Sequence, residues 1–222
     1  MTAPVYFISG IDTGIGKTFT TGYLAKLWNA QGQKTITQKL IQTGNSDISE
    51  DIQQHREIMA MGWFPEDATK LTMPEIFSYP ASPHLATQID GREIDFAKIA
   101  DATQQLAERY DVVLLEGAGG LMVPLTRELL TIDYIAEKKF PVILVSSGRL
   151  GSINHTLLSL EALKVRGLEL YALAYNLNDE SQDQIISQDT AAYLKSYLAK
   201  YFPTAQWIDI PIIQAPQLGE IH

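Results

Sequence analysis

Residues 10–18 read GIDTGIGKT, which fits the phosphate-binding pattern G-x-x-x-x-G-K-[ST]. An apolar run over residues 5–8 precedes this loop and a helix-compatible stretch over residues 19–29 follows it, which is the strand–loop–helix context that the pattern requires. Glycines let backbone amides approach phosphate oxygens, and the following helix directs its positive end at the same anion. Lys17 can reach the terminal phosphates, and Thr18 can offer its hydroxyl to Mg²⁺. The loop therefore predicts a site for ATP or GTP, in preference to a glycine-rich turn that only caps a helix.

Composition narrows the class of protein. The chain has 222 residues, 45% of them hydrophobic and 19% charged, which predicts one domain over residues 1–222 with a buried core. It has no cysteine, so disulfides, thiolate metal sites and cysteine nucleophiles are excluded. The formal net charge of -9 disfavours a sequence-independent nucleic-acid binder, and no apolar segment approaches membrane-spanning length. We expect a cytoplasmic protein that acts on small molecules, without nucleic-acid or membrane partners.

Alternating apolar and helix-compatible segments predict the fold class. Strands are expected at 5–9, 34–39, 111–115, 141–145, 169–175 and 207–210. Helices are expected at 17–30, about 50–61, 95–109, 131–138, 152–166 and 182–200. The runs at 112–115 and 142–145 are apolar throughout, which is typical of strands buried on both faces of a parallel sheet. The pattern indicates an α/β fold with a doubly wound, mainly parallel sheet flanked by helices, in which ligands bind at the carboxyl ends of the strands.

Residues 62–94 have the least regular pattern in the chain. Prolines fall in this segment at positions 65, 74, 80 and 83. We interpret it as a long excursion over the surface or over the site.

Two acidic side chains are candidate metal ligands, one after a strand and one at the start of a helix. Glu116 follows the strand at 111–115, where a Walker B carboxylate for Mg²⁺ would lie. Asp51 could supply a second carboxylate, although Glu50 and Asp51 also suit the first turn of a helix because of the helix dipole alone. Together with the Thr18 hydroxyl, these groups are oxygen ligands of the kind that Mg²⁺ prefers.

Other polar residues follow other strands, and each has a second interpretation. Lys39 could stabilise charge on a transferring phosphoryl group, or it could be a solvated lysine at a strand end. Gly151 and Ser152 open a helix, with Ser152 as the candidate N-cap, and this N-terminus could hold a carboxylate or simply be capped. Asn176 could read a nucleobase edge or serve as a turn residue.

Taken together, these residues resemble one family of enzymes. The motifs GIDTGIGKT, KLIQTG, SPH, LLEGAGGLMVPL, PVILV with LGSINHTLLS, and Asn176 follow the order and spacing of dethiobiotin synthetases over about residues 5–213. The resemblance implies an ATP- and Mg²⁺-dependent ligase of the P-loop NTPase type that acts in biotin biosynthesis. It implies ring closure on 7,8-diaminononanoate with CO₂ to give dethiobiotin, ADP and phosphate, through a carbamate and a carbamic–phosphoric anhydride.

The resemblance also implies roles for individual residues. For ATP and its metal these are Gly14, Ile15, Gly16, Lys17, Thr18, Phe19, Asp51, Glu116, Gly117, Ala118, Gly119, Asn176, Pro211, Ile212 and Ile213, with the metal on Thr18, Asp51 and Glu116. For catalysis they are Lys39, Thr13 and Lys17. For the substrate they are Thr13, Lys39, Thr43 and, from a neighbouring subunit, Leu150, Gly151, Ser152, Ile153 and Asn154. The resemblance therefore implies a homodimer with its active sites at the interface.

The chain departs from the family pattern at two positions. Leu40 stands where the family usually has proline, and Ile11 stands where it often has threonine.

Other classes of protein fit the sequence less well. A cobyrinic acid synthase-like amidoligase would usually carry a glutaminase domain with a cysteine nucleophile, and this chain has no cysteine. A ParA-like nucleotide switch would have a second lysine early in the loop, where residues 11–13 have none. A non-catalytic nucleotide-binding module is disfavoured because Lys39 and Glu116 both lie at strand ends.

Overall fold

The phosphate-binding loop follows the strand at the centre of the main sheet. The computed structural model describes residues 3–178 and 183–212. The strands are β1 (Val5–Gly10), β2 (Thr35–Lys39), β3 (Gln42–Thr43), β4 (Ile76–Phe77), β5 (Val112–Gly120), β6 (Val142–Ser147), β7 (Leu170–Asn176) and β8 (Gln206–Ile210). The helices are α1 (Lys17–Ala30), α2 (Glu50–Met59), α3 (Pro65–Ala68), α4 (Pro83–Asp90), α5 (Phe96–Arg109), α6 (Thr131–Lys138), α7 (Ser152–Val165) and α8 (Gln184–Tyr201). Within these ranges, no helix combines the length and apolar character needed to cross a membrane.

The main sheet is parallel, and its strand order reverses beside β1. Six strands lie in the order β2-β5-β1-β6-β7-β8, while β3 and β4 form a separate parallel pair. β1 pairs with β5 on one side and with β6 on the other. The strands that follow β1 in sequence therefore lie on both of its sides, which creates a ligand-binding crevice at the carboxyl end of that strand. The predicted α/β fold with a doubly wound parallel sheet is confirmed.

Both faces of the sheet are buried. Phe7 and Ile8 are neighbours on β1, are both 0% exposed, and belong to different apolar clusters. Because successive side chains of a strand point to opposite faces, one cluster lies on each side of the sheet. The cluster around Ile8 includes Leu24 of α1, and the cluster around Phe7 includes Leu160 of α7. Burial of each such side chain contributes about 1.5–3 kcal/mol, and this two-sided burial explains why the strands at 112–115 and 142–145 are apolar throughout.

Residues 62–94 are more regular than the sequence predicts. Pro65 and Pro83 are the first residues of α3 and α4. A backbone N–H at this position forms no hydrogen bond within the helix, so proline costs the helix nothing there. Between these helices, Ile76 of β4 pairs with Gln42 of β3. Two of the prolines thus begin helices instead of marking irregular chain, and the segment is tied to the residues that follow β2.

Candidate active site

The end of β7 supports the phosphate-binding loop. Gly16 directly precedes α1 with a φ of 98°, a left-handed conformation that favours glycine. A Cβ atom at this position would lie 2.1 Å from Nδ2 of Asn176. That nitrogen donates a hydrogen bond to the carbonyl oxygen of Ile15 at 3.0 Å. Both its backbone conformation and its contact with Asn176 therefore require glycine at position 16.

A cavity of about 360 Å³ opens beside this loop at the carboxyl ends of the central strands. It is bordered by the loop, by the residues that follow β2, by α2 and by the end of β5. Its lining residues are Thr13, Gly14, Gly16, Lys17, Thr18, Phe19, Lys39, Ile41, Gln42, Thr43, Asp51, Gln54, Glu116, Ala118 and Gly119. The structure thus brings the loop residues together with the candidate residues Lys39, Asp51 and Glu116.

A buried lysine joins two carboxylates on the wall of this cavity. Lys39 Nζ donates to Glu116 Oε1 at 2.8 Å and to the Gly117 carbonyl oxygen at 3.2 Å, and it also forms an ion pair with Asp51. The Thr18 hydroxyl lies 2.9 Å from Asp51 Oδ1 and 3.3 Å from Glu116 Oε1. Lys39 is only 5% exposed, so the interpretation as a solvated strand-end lysine is wrong. Asp51 belongs to the first turn of α2, yet its carboxylate faces the site.

The charges in this cluster shift one another's pKa values. Burial alone would lower the pKa of Lys39, but Glu116 and Asp51 outweigh burial and raise it. Burial alone would raise the pKa of Glu116, but the charge of Lys39 and a hydrogen bond from His55 hold it well below its ordinary value. Burial and the nearby Lys39 lower the pKa of Lys17 to about 8, against the opposing effect of the carboxylates. Lys39 and Glu116 therefore stabilise each other as ions, whereas an anion in the cavity would stabilise the charged form of Lys17.

The oxygen atoms of Thr18, Asp51 and Glu116 form a donor set that fits Mg²⁺. The part of the chain that the structure describes contains no group of three or more histidine, cysteine, aspartate or glutamate side chains arranged to hold a metal ion. Mg²⁺ does not need such a protein cage, because it usually takes one or two carboxylates and completes its octahedron with phosphate oxygens and water. A hydroxyl and two carboxylates beside a phosphate loop meet this requirement.

Two residues that the sequence analysis missed hold the other side of Glu116. His55 Nε2 lies 2.9 Å from Glu116 Oε2, and the Thr21 hydroxyl lies 2.8 Å from the same oxygen. Both side chains are fully buried. Helical spacing could have found them, since His55 comes four residues after Asp51 and Thr21 comes three residues after Thr18.

The departure at Leu40 adds a backbone contact to the site. The Leu40 N–H donates to the Glu116 carbonyl oxygen at 2.8 Å. Proline has no N–H and could not form this bond. The residue after the candidate catalytic lysine therefore ties the end of β2 to the middle of β5. β5 extends to Gly120, so Glu116 lies within the strand, and the prediction that it follows the strand is wrong.

Other residues predicted to bind the nucleotide lie outside the 360 Å³ cavity. Asn176 contacts the back of the loop through Ile15, so its role in reading adenine stays a prediction. Pro211 and Ile212 are exposed just after β8. The prediction for Ile213 lies outside the described residues.

The segment expected to bind the substrate carboxylate lies at a separate groove. Leu150, Gly151, Ile153 and Asn154 line a groove of about 740 Å³ between α7 and α8. The predicted N-cap role of Ser152 is wrong, because the N-cap is Gly151 with a φ of 94° and Ser152 is the first residue of α7. Left-handed backbone at the start of this helix favours glycine over serine.

The class of protein is a P-loop NTPase. It is defined by the parallel sheet, the glycine loop before α1, the lysine at the end of β2 and the carboxylates of α2 and β5. A family model described as an AAA domain matches residues 5–202. The solved structure of pNOB8 ParA aligns with 98% of this chain and 84% of its own at a TM-score of 0.52. Its 15% identity shows a shared fold alone.

Curated relatives identify the family within this class. The protein named ATP-dependent dethiobiotin synthetase BioD 2 of Pasteurella multocida (strain Pm70) is 52% identical over 201 residues, which is 90% of this chain and 94% of the relative. The protein named ATP-dependent dethiobiotin synthetase BioD of Chlorobaculum tepidum (strain ATCC 49652 / DSM 12025 / NBRC 103806 / TLS) is 49% identical over 211 residues, 95% of this chain and 88% of the relative. The chain belongs to the dethiobiotin synthetase family, and the predicted family is confirmed.

Proposed function

We propose that this protein is an ATP-dependent ligase that converts 7,8-diaminononanoate and CO₂ to dethiobiotin with the help of Mg²⁺. The observation that carries the proposal is Lys39, which is buried between Asp51 and Glu116 in the cavity beside the phosphate loop. The names of the relatives support both the ATP dependence and the product.

The proposed reaction needs no covalent bond to the protein. An amine of the substrate attacks CO₂ and loses a proton, which forms a carbamate. A carbamate oxygen then attacks the γ-phosphorus of ATP, and the bond from that phosphorus to the oxygen of ADP breaks. The second amine attacks the carbonyl carbon, loses a proton and expels phosphate as the ring closes. Positioning and charge stabilisation are the main catalytic contributions that such a phosphoryl transfer requires.

The residues around the cavity fit these steps. Lys17 and the amides of the loop would hold the phosphates at the positive end of α1. Lys39 would stabilise the negative charge that is shared between the carbamate oxygen and the transferring phosphoryl group. Thr13 lines both this cavity and a neighbouring one of about 350 Å³, and it would contact the reacting carbamate. Thr43 lines the 360 Å³ cavity and would contact the substrate there.

Thr18, Asp51 and Glu116 would hold Mg²⁺, which when bound would neutralise charge on the β- and γ-phosphates. The oxygens of Asp51 and Glu116 also contact Lys39. A bound cation would therefore compete with Lys39 for them, which would leave Nζ available to the carbamate.

ATP turnover is expected to require both the diamine and bicarbonate. Omission of either should reduce ADP release to background, because the carbamate that attacks the γ-phosphate cannot form. The measurement is coupled detection of ADP together with mass spectrometry of the product. A monoamine of the same chain length is the control, since it can form a carbamate but cannot close a ring. Rapid ATP hydrolysis without the diamine would contradict the proposal.

We also propose a cytoplasmic homodimer in which residues 150–154 of one subunit bind the carboxylate of the substrate in the other. Sedimentation is expected to give about twice the chain mass of 24.7 kDa. Leu150 is 84% exposed, and Leu150→Asp should weaken both the dimer and the affinity for the diamine. An active monomer with unchanged KM for the diamine would rule out a shared site.

A further inference from the structure

The two carboxylate oxygens of Glu116 have different surroundings. Oε1 faces the cavity side, where it contacts Lys39 at 2.8 Å and Thr18 at 3.3 Å. Oε2 faces the protein interior, where it contacts His55 Nε2 at 2.9 Å and the Thr21 hydroxyl at 2.8 Å. One oxygen is therefore open to a ligand of the site, and the other is held by side chains of α1 and α2.

The hydroxyl donor to Oε2 is shared with another acceptor. The Thr21 hydroxyl has one proton, and it also lies 2.8 Å from the Lys17 carbonyl oxygen. The Thr18 hydroxyl likewise lies closer to Asp51, at 2.9 Å, than to Glu116. Threonine hydroxyls therefore do not supply a dedicated hydrogen bond to Glu116.

His55 does supply one. Glu116 is in an ion pair with Lys39, and a carboxylate in an ion pair only accepts hydrogen bonds, so Nε2 of His55 is the donor in this contact. On the other side of the ring, Nδ1 lies 3.1 Å from the Thr37 hydroxyl. That hydroxyl accepts from Arg56 Nη1 at 2.8 Å, which leaves its own proton free to donate to Nδ1. Arg56 is fixed by Asp67, from Nε at 2.9 Å and from Nη2 at 2.7 Å.

The geometry points to His55 as a positioning residue for the metal ligand Glu116, an inference that rests on the proposed function. Asp67, Arg56 and Thr37 orient the ring, and the ring fixes Oε2. With one oxygen fixed, Oε1 stays directed toward the cavity, where it contacts Lys39 and where the cation would bind. His55 is 0% exposed and is not among the residues that line the cavity, so it acts through Glu116 and not through the substrate. Loss of an outer partner of this kind typically weakens metal affinity about 10–100-fold.

Two amide substitutions test the roles of the two ring nitrogens of His55 separately. The nitrogen of Gln in His55→Gln can occupy the position of Nε2 and keep the donor to Glu116. The amide of Asn in His55→Asn reaches only the position of Nδ1, so it keeps a partner for Thr37 and loses the bond to Glu116. Gln53→Leu is the control on α2, because Gln53 is exposed on the same helix.

The measured quantity is the binding of Mn²⁺ to the protein with ADP, followed by electron paramagnetic resonance. Urea unfolding checks that the variants are compared at equal folded fraction. We expect His55→Asn to weaken Mn²⁺ binding about 10–100-fold and His55→Gln to stay within about threefold of the original protein. In turnover, the KM for Mg²⁺ should rise in His55→Asn more than kcat falls. Equal behaviour of the two variants, with normal binding by the original protein, would overturn the inference and leave the proposed function standing. Absence of Mn²⁺ binding by the original protein would overturn the metal assignment and this inference together.

Discussion

Lys39→Met is expected to lower kcat for ATP turnover by about 10³-fold, the size of effect seen when a charged group that stabilises a phosphoryl transition state is removed. Methionine keeps most of the volume of the buried side chain and removes its charge. The phosphate loop is unchanged, so ADP affinity should stay within about threefold of the original value. Mg²⁺ binding should be retained or strengthened, because Asp51 and Glu116 no longer share their oxygens with an ammonium group.

The matched control is Lys26→Met, which removes the same charge from an exposed position on α1. The assay pairs steady-state ADP release, with diamine and bicarbonate saturating, with calorimetric titration of ADP and Mg²⁺. A kcat within tenfold of the original protein would remove Lys39 from the chemistry. Joint loss of turnover and ADP binding would instead assign Lys39 to nucleotide binding.

Local sequence patterns predicted most of the fold. The glycine loop fixed the position of β1 and α1, because its backbone conformation and its phosphate chemistry depend on residues within one short segment. The apolar runs at 112–115 and 142–145 identified central strands, since burial on both faces leaves no alternation. Lys39 and Glu116 meet because β2 and β5 pair in parallel with these two residues in register.

Contacts between distant segments could not be predicted in the same way. Asn176 supports Gly16 from 160 positions away, and neither residue's neighbours in sequence encode that contact. The direction of the Asp51 side chain was also undecided, since a first-turn acid suits the helix dipole whether or not it faces a site. Only the packing of α2 against α1 and β2 turns Asp51 and His55 toward Glu116.

The ion pair behind His55 should contribute strongly to stability. The side chain of Asp67 is 0% exposed and receives hydrogen bonds from Arg56, from the Thr72 hydroxyl at 2.7 Å and from the Phe64 N–H at 2.7 Å. Asp67→Asn would leave the Arg56 guanidinium buried without a counter-charge and would turn an amide donor toward other donors. We expect it to lower the free energy of unfolding by about 3–5 kcal/mol.

Asp47→Asn makes the same chemical change in an ion pair that lies in solvent. Asp47 is 77% exposed and its partner Lys70 is 44% exposed, so this variant should lose about 1 kcal/mol at most. Urea unfolding at neutral pH measures both variants. Equal losses of unfolding free energy would show that burial does not determine how much the Arg56–Asp67 pair stabilises the fold.

The stability that Asp67 contributes should also depend on pH. Burial alone would raise the pKa of Asp67, but the hydrogen bonds and charge of Arg56 outweigh burial and lower it. Its folded pKa thus lies below the unfolded value of about 3.9, so the stability gained from this carboxylate is complete above that pH. The difference between the original protein and Asp67→Asn should therefore be constant near neutral pH and shrink as the pH falls below about 4, because protonation removes the charge that the substitution removes.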